Sequence, residues 1–263
     1  MARALVTGAS SGIGAEFARQ LASRGMDLVL VARSIDRLQQ LAEELQPQYG
    51  IQTTVLAADL TQPQDIERVY GDTEGRGTTI DLLINNAGFG DYGEFAKSDR
   101  AKILSMVQLN VTALVDLTHR FLQPMQQRQS GCILNVGSIA SFQPLPYFSV
   151  YAATKAFVLS FSESLWAENR KTGVKILALC PGPVRTEFGR RAGFADLCIT
   201  SDIRVSTEPA PDEAFTLSDV PGVAVVVASA DGTKCQRCWK VLPDVGTHAQ
   251  PDVCKRCNDV LTG

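Results

Sequence analysis

Three side chains in the middle of the chain are spaced for proton chemistry: Ser138, Tyr151 and Lys155. Tyr151 and Lys155 lie four positions apart, so on a helix they share one face. A phenol, with an unperturbed pKa of ~10, is a poor base at neutral pH. A nearby ammonium stabilises the phenolate and lowers that value. Tyr151 can then exchange a proton with an oxygen atom, while Ser138 hydrogen-bonds and orients the same oxygen. Taken singly, such residues are more often a surface tyrosine, a snorkelling lysine and a capping serine; the joint arrangement carries the chemistry. A second group is metal-ligating in type. Cys235-x2-Cys238 and Cys254-x2-Cys257 are separated by 15 residues. Each turn aims two thiolates at one point, and two turns complete a tetrahedron. Iron fits the same four-sulfur geometry; zinc is the default occupant.

The elements that must position these groups can be read from hydrophobic spacing. Short apolar runs at Ala4–Val6, Leu28–Val31, Val55–Ala57, Leu82–Ile84, Ile133–Val136 and Val174–Leu179 read as buried strands. Helical spacing separates them: Ile13/Phe17/Leu21, Leu38/Leu41/Leu45 ended by Pro47, Ile66/Val69/Tyr70, one long helix through Ile103 to Leu122, and a helix from Tyr151 to Asn169. Strands alternating with helices predict an α/β fold, a Rossmann-type doubly wound parallel sheet covered on both faces. The first strand–helix turn is Thr7-Gly8-Ala9-Ser10-Ser11-Gly12-Ile13-Gly14. Its glycines let backbone approach a pyrophosphate, and the helix that follows offers free N–H groups and its positive dipole end. The glycine spacing differs from the usual dinucleotide fingerprint, and a glycine turn alone can serve geometry only.

Composition sets the outer bounds. The 263 residues carry a net charge of −3, with 45% hydrophobic and 20% charged residues, an ordinary globular balance. This removes any global electrostatic case for nucleic acid or an anionic membrane. The longest apolar run, Val223–Ala230, is too short to span a bilayer, and no secretory segment is visible, so a cytoplasmic location is expected. Cys132, Cys180 and Cys198 sit in apolar surroundings and are expected to be buried thiols.

Residues 1 to about 190 resemble the short-chain dehydrogenase/reductase family through an ordered series of motifs. These are the Thr7–Gly14 turn, Asp59 after the third strand, Asn85-Asn86-Ala87-Gly88 after the fourth, Asn110 in the long helix, and Ser138. Tyr151-x3-Lys155 and Pro181-Gly182-Pro183-Val184-x-Thr186 complete it. The resemblance implies an oxidoreductase that interconverts a carbonyl and an alcohol by hydride transfer with a nicotinamide cofactor. It implies that Lys155 also holds the nicotinamide ribose, and that Asn110 positions a water beside Lys155, although a mid-helix asparagine can simply bond neighbouring backbone. Asp59 and Leu60 would bracket the adenine; Asn86, Ala87 and Gly88 would border the cofactor; Pro181, Gly182, Val184 and Thr186 would lie at the nicotinamide end.

Cofactor choice is set at the end of the second strand. An acid there would bind an adenosine 2′-hydroxyl. This chain has Arg33 and Ser34 instead. Arg33, helped by Ser10, Ser34 or Arg37, can pair with a 2′-phosphate, which favours NADP(H). Arg33 stacked over adenine and Arg37 as a solvated helix charge are the alternatives. The substrate is a small carbonyl or alcohol of unread identity. Phe89, Tyr92, Phe142, Pro144, Tyr147 and Phe148 can line an apolar pocket beside Ser138 or serve as ordinary packing. The family resemblance also raises a homo-oligomer built through the long helices.

The resemblance ends near Gly193, where the family would continue with a lid, a helix and a seventh strand. Residues 194–263 read instead as a tail: strands at Leu197–Val205 and Val223–Ala228, then the four cysteines within a 233–258 module. Gly232–Lys240 and Cys254–Cys257 resemble the C-terminal zinc module of bacterial isoleucyl-tRNA synthetases, which implies a tRNA contact through Lys234, Arg237, Lys240, Lys255, Arg256 and Trp239. Residues 233–258 carry a net +3, and a zinc ion with four thiolates leaves +1, a thin footprint for RNA. Three readings follow: an NADP(H)-dependent oxidoreductase with a zinc-bearing tail, which the full set of expected catalytic residues favours; an RNA-binding zinc module fused to an inactive dehydrogenase-like domain; or a chain with neither activity, because the usual C-terminal part of the sheet is missing.

Overall fold

A computed structural model describes residues 2–182, 215–216, 224–225, 232–236, 241–255, 258 and 262. The chain separates into two compact units, Met1–Ala192 and Gly193–Gly263. In the first, six strands alternate with helices. They are β1 (Arg3–Thr7), α1 (Gly12–Ala22), β2 (Asp27–Ala32), α2 (Ile35–Tyr49), β3 (Thr53–Ala57), α3 (Pro63–Gly71), β4 (Leu82–Asn85), α4 (Arg100–Val107), α5 (Leu114–Gln127), β5 (Gly131–Val136), α6 (Ser149–Glu168) and β6 (Val174–Leu179). The strands pair in parallel in the order β3-β2-β1-β4-β5-β6. The order reverses between β1 and β4, and the crevice beyond their carboxyl ends is the place where such sheets bind ligands.

Successive side chains of each strand enter opposite cores. Ala4, Val6, Leu28 and Leu30 pack with Ala18, Leu21, Leu38 and Leu45 of α1 and α2. Leu5, Val29, Leu83 and Ile133 pack with Ile66, Leu117, Phe121 and Met125 of α3 and α5. This double burial explains why the strands lack polar alternation. Cover is incomplete at β6. Register places Leu177 and Leu179 beside Leu134 and Val136, on the α1/α2 side, yet they remain 49% and 39% exposed. Among the described residues β6 pairs only with β5. Ala224–Val225 pairs antiparallel with Phe215–Thr216 and does not extend the six-stranded sheet.

Two helices differ in detail from the sequence expectation. Pro47 does not end the second helix: α2 continues to Tyr49 and closes at Gly50, with φ +66°. Near a helix end, proline removes only one N–H and the chain tolerates it. The long helix is present but not regular. A π-helical segment, Gln108–Ala113, separates α4 from α5. Such a bulge is the usual way a helix re-aims side chains at a functional site. The strand expected at Leu197–Val205 and the residues Cys198, Val184, Thr186, Cys238 and Cys257 lie outside the described residues. Cys132 and Cys180 are half-buried, not the fully buried thiols expected. No described helix is long and apolar enough to cross a membrane.

α1 sits directly on the turn that precedes it. A Cβ at Gly14 would fall 2.3 Å from the Gly8 carbonyl oxygen and 2.6 Å from Asn86 Nδ2. Neither neighbour can give way without moving the strand ends. Gly14→Ala is therefore expected to lower unfolding free energy by about 1–3 kcal/mol. Urea denaturation checks this, and an unchanged midpoint would show that the helix can slide outward.

Candidate active site

The carboxyl ends of β1 and β4 are joined by one hydroxyl. Thr7 Oγ1 donates to the Ile84 carbonyl at 3.1 Å and accepts the N–H groups of Asn86 and Ala87 at 2.9 and 3.0 Å. Asn86 Nδ2 returns a bond to the Thr7 carbonyl at 2.9 Å. Thr7 is buried, so its side chain holds the crevice open and does not itself line it. Gly8 adopts φ +67°, a left-handed conformation that turns the chain into α1. Ser11 caps α1 with no side-chain bond to the helix, and Ser10 to Ile13 remain at least partly accessible. This cradle of glycine backbone at a helix N-terminus fits a pyrophosphate.

Around it, the Ala9 N–H donates to the Val31 carbonyl at 3.2 Å, which ties the turn to the end of β2. Arg33, Ser34 and Arg37 follow, all exposed. Ser34 caps α2 without a side-chain bond. Asp59 is committed locally: its Oδ1 accepts from the N–H and hydroxyl of Thr61 at 3.0 and 2.8 Å. Leu60 packs in the core and turns its side chain away from the crevice. Pro181 and Gly182 follow β6, and the Pro181 carbonyl accepts the Ile139 N–H at 3.2 Å.

The proton-chemistry residues converge. Ser138 follows β5 and caps a short turn, its Oγ accepting the Ala140 N–H at 3.1 Å. The same hydroxyl hydrogen-bonds the phenol of Tyr151, in the first turn of α6. Lys155 lies one turn further on, with Nζ 5.8 Å from the Tyr151 ring centre and 2.8 Å from the Val136 carbonyl. All three are buried. Asn110, in the π segment, clasps Phe89: Oδ1 accepts its N–H at 3.1 Å, and Nδ2 donates to its carbonyl at 2.9 Å. Nδ2 also reaches Thr154 Oγ1 at 3.1 Å. A Cβ at Gly88 would lie 2.9 Å from Asn110 Oδ1 and 3.6 Å from Lys155 Nζ, so these two groups flank one point.

The electrostatics differ from the sequence expectation. Burial is the largest influence on Tyr151 and raises its pKa, with the Ser138 bond opposing. Lys155 is pulled down from 10.5 to about 8 by burial, with Cys180 opposing. An ammonium without a carboxylate partner is costly to bury, which weakens it as a means of acidifying the phenol.

Several functional positions escaped sequence reasoning. Ser141 and Thr154 bond to the site residues, and a polar chain crosses the core beneath it. Asn85 Nδ2 donates to Thr118 Oγ1 at 3.0 Å and to Asn135 Oδ1 at 2.9 Å, and Asn135 Nδ2 donates to Ser162 Oγ at 3.0 Å. The signal was an asparagine inside the apolar run Ile133-Leu134-Asn135-Val136.

In the second unit, Thr233–Lys234 and Val241–Leu242 pair antiparallel beside a small core of Cys235, Val245, Val253 and Cys254. The Cys254 N–H donates to Cys235 Sγ at 3.4 Å. Among the described residues no group of three or more His, Cys, Asp or Glu side chains is placed to hold a metal. His248 bonds Asp244 at 3.2 Å, and the same carboxylate oxygen accepts the Lys255 N–H at 2.7 Å. Of the basic residues expected to meet RNA, Lys234 and Lys255 are described and exposed; Arg237, Lys240 and Arg256, with Trp239, lie outside the described residues.

The low Lys155 pKa has a consequence for stability. Between about 8 and 10.5 the unfolded chain binds the proton that the folded chain releases, so this group's contribution to stability rises with pH across that window. Below it, the buried ammonium destabilises the fold. Lys155→Met is therefore expected to raise Tm at pH 7 and to flatten the rise above pH 8. A lower Tm at pH 7 would show that the bond to Val136 outweighs the burial cost.

Residues 2–194 match the short chain dehydrogenase family. A very-long-chain 3-oxoacyl-CoA reductase from Anas platyrhynchos is 37% identical over 192 residues, covering 71% of this chain and 61% of that protein. The chain thus spans about 61% of the length of this curated relative. A short-chain dehydrogenase from Sphingobium yanoikuyae, solved with NADPH, is 41% identical with a TM-score of 0.70, covering 73% of this chain and 76% of that one. A bulky-bulky ketone specific alcohol dehydrogenase from Comamonas testosteroni is 39% identical with a TM-score of 0.68, covering 70% of this chain and 74% of that one. With nearly three quarters of the sequence matched by the family, the chain belongs to the short-chain dehydrogenase family.

Proposed function

We propose that the chain is an NADP(H)-dependent oxidoreductase that interconverts a carbonyl and an alcohol. The observation that carries this is the Ser138–Tyr151 hydrogen bond at the carboxyl edge of the sheet, with Lys155 one helical turn away. The cofactor, when bound, supplies or accepts hydride. The chain's own residues do the rest. Burial keeps the Tyr151 phenol protonated through neutral pH, so it can donate its proton to the oxygen of a carbonyl being reduced. Ser138, whose one proton goes to the phenol oxygen in the free site, turns that proton to the carbonyl oxygen when the substrate enters and fixes its approach. The Ser10–Gly14 backbone and the start of α1 hold the pyrophosphate, and Arg33 with Ser34 or Arg37 pairs with the 2′-phosphate.

The substrate side reads as apolar and ring-bearing. Phe148 lies 5.8 Å from the Tyr151 ring, Tyr92 lies 5.1 Å from Phe148, and Tyr147 lies 5.6 Å from Tyr92, measured between centroids. This row runs from the buried phenol to half-exposed Tyr147 and offers flat faces to a bulky ketone. The ketone specificity stated for the Comamonas protein agrees with such a wall.

A second reading concerns the tail. The meeting of Cys235 with Cys254, one from each C-x2-C turn, favours a four-cysteine metal site with Cys238 and Cys257, and zinc suits four thiolates. Such an ion would fold a segment too small to hold itself.

Three measurements test these readings. Fluorescence titration should show NADPH bound more tightly than NADH, with Arg33→Ala weakening NADPH about tenfold and leaving NADH unchanged. In the same preparation, Tyr151→Phe should cut reduction of an aromatic ketone at least ~100-fold with NADPH affinity intact; retained turnover would remove Tyr151 from its role. Elemental analysis should find about one zinc per chain. Folded protein free of metal would contradict the four-cysteine site.

A further inference from the structure

Ser141 makes more structural connections than its place in a three-residue turn requires. Its side chain is buried. Its Oγ donates to the backbone carbonyl of Lys155 at 2.7 Å, across 14 residues, and accepts the N–H of Ser138 at 3.2 Å. The Cys180 thiol approaches the same oxygen at 3.9 Å. The turn closes on itself as well, the Ser141 N–H donating to the Ser138 carbonyl at 2.9 Å. One hydroxyl therefore ties together the end of β5, the first half of α6 and the segment after β6.

We propose that Ser141 is a positioning residue that locks the Ser138 hydroxyl onto the Tyr151 phenol oxygen. The proposal rests on the oxidoreductase reading above. A serine hydroxyl has one proton to give. That of Ser141 goes to Lys155, so its lone pairs face Ser138 and Cys180. One lone pair of Ser138 Oγ is taken by the Ala140 N–H, which leaves its own proton directed outward to the phenol. The two hydroxyls act in series: the first sets the attitude of the turn, and the turn sets the direction of the second. Helix capping alone does not explain this. The cap consists of the Ala140 N–H bond to Ser138 Oγ and the reciprocal Ser138 N–H bond to Ser141 Oγ, whereas the bond to the Lys155 carbonyl lies outside the cap and fixes the distance between the turn and the helix that carries Tyr151.

The test compares Ser141→Ala, Ser141→Thr and Ser138→Ala in full-length protein. Tyrosine labelled with 13C at Cζ gives five resonances, and Tyr151→Phe identifies the relevant one. Its shift reports hydrogen bonding at the phenol oxygen. Ser138→Ala should move it by the loss of the bond, and Ser141→Ala should move it in the same direction. With NADPH and an aromatic ketone, Ser141→Ala should lower kcat about tenfold while the NADPH dissociation constant stays within twofold. Ser141→Thr, which keeps the hydroxyl, should restore both the resonance and kcat. A lowered Tm with the Tyr151 resonance and kcat unchanged would overturn the proposal, because the bond would then be structural only. If wild-type protein binds NADPH but reduces no carbonyl compound, the functional reading fails, and the resonance still decides the positioning role: an unmoved signal in Ser141→Ala overturns it.

Discussion

β1 and β4 are neighbours whose chains must leave in opposite directions, and the Thr7 hydroxyl keeps their ends together where they part. Parallel strands that feed crossovers on opposite faces open a crevice by necessity. Without a bond across the opening, the Ala87 N–H would lose its partner and that of Asn86 would keep only the Ile84 carbonyl. Thr7 satisfies two N–H groups and one carbonyl with a single oxygen. The glycine turn, Asn86 and the approach of α1 are all arranged around that junction, so the cofactor cradle follows from a rule of backbone satisfaction before any ligand is considered.

The proton-handling residues are built on a different compromise. Burial that protects the phenol from water also raises its pKa and depresses that of Lys155. The protein meets the resulting polar demand with hydroxyls and backbone carbonyls. Ser138 bonds Tyr151, Val136 bonds Lys155, and Ser141 joins the two halves. Neutral partners preserve direction without adding charge, which leaves the charge balance of the site to whatever binds there.

Much of this was legible in the residues. Six strands followed from continuous apolar runs because both sheet faces are buried, and the Ser138, Tyr151 and Lys155 spacing survives into geometry because strand end and helix start are rigid. What stayed hidden has physical causes. Burial is a property of the whole core, so the pKa directions could not be read from the fact that Tyr151 and Lys155 are four apart. Ser141 looked like any turn serine because its partner lies in another element. Leu60 looked like a cofactor neighbour by position, yet its side chain packs in the core. The π segment was invisible because the buried positions through it, Met106, Asn110, Ala113, Leu117 and Phe121, are three or four residues apart as in an ordinary helix.

That segment has a geometric consequence. It inserts a phase shift between two helices that a periodic pattern treats as one. α4 presents Met106 to the interior, and α5 presents Leu114, Leu117, Phe121 and Met125. Removing one residue from the segment would make the helix more regular and would turn everything beyond it by roughly 100°. Thr118 would swing away from Asn85 and Phe121 out of the core, while Asn110 lost its grip on Phe89. Local irregularity here is the price of a consistent interior: the helix is out of step with itself so that two stretches of the same backbone can each stay in step with the sheet.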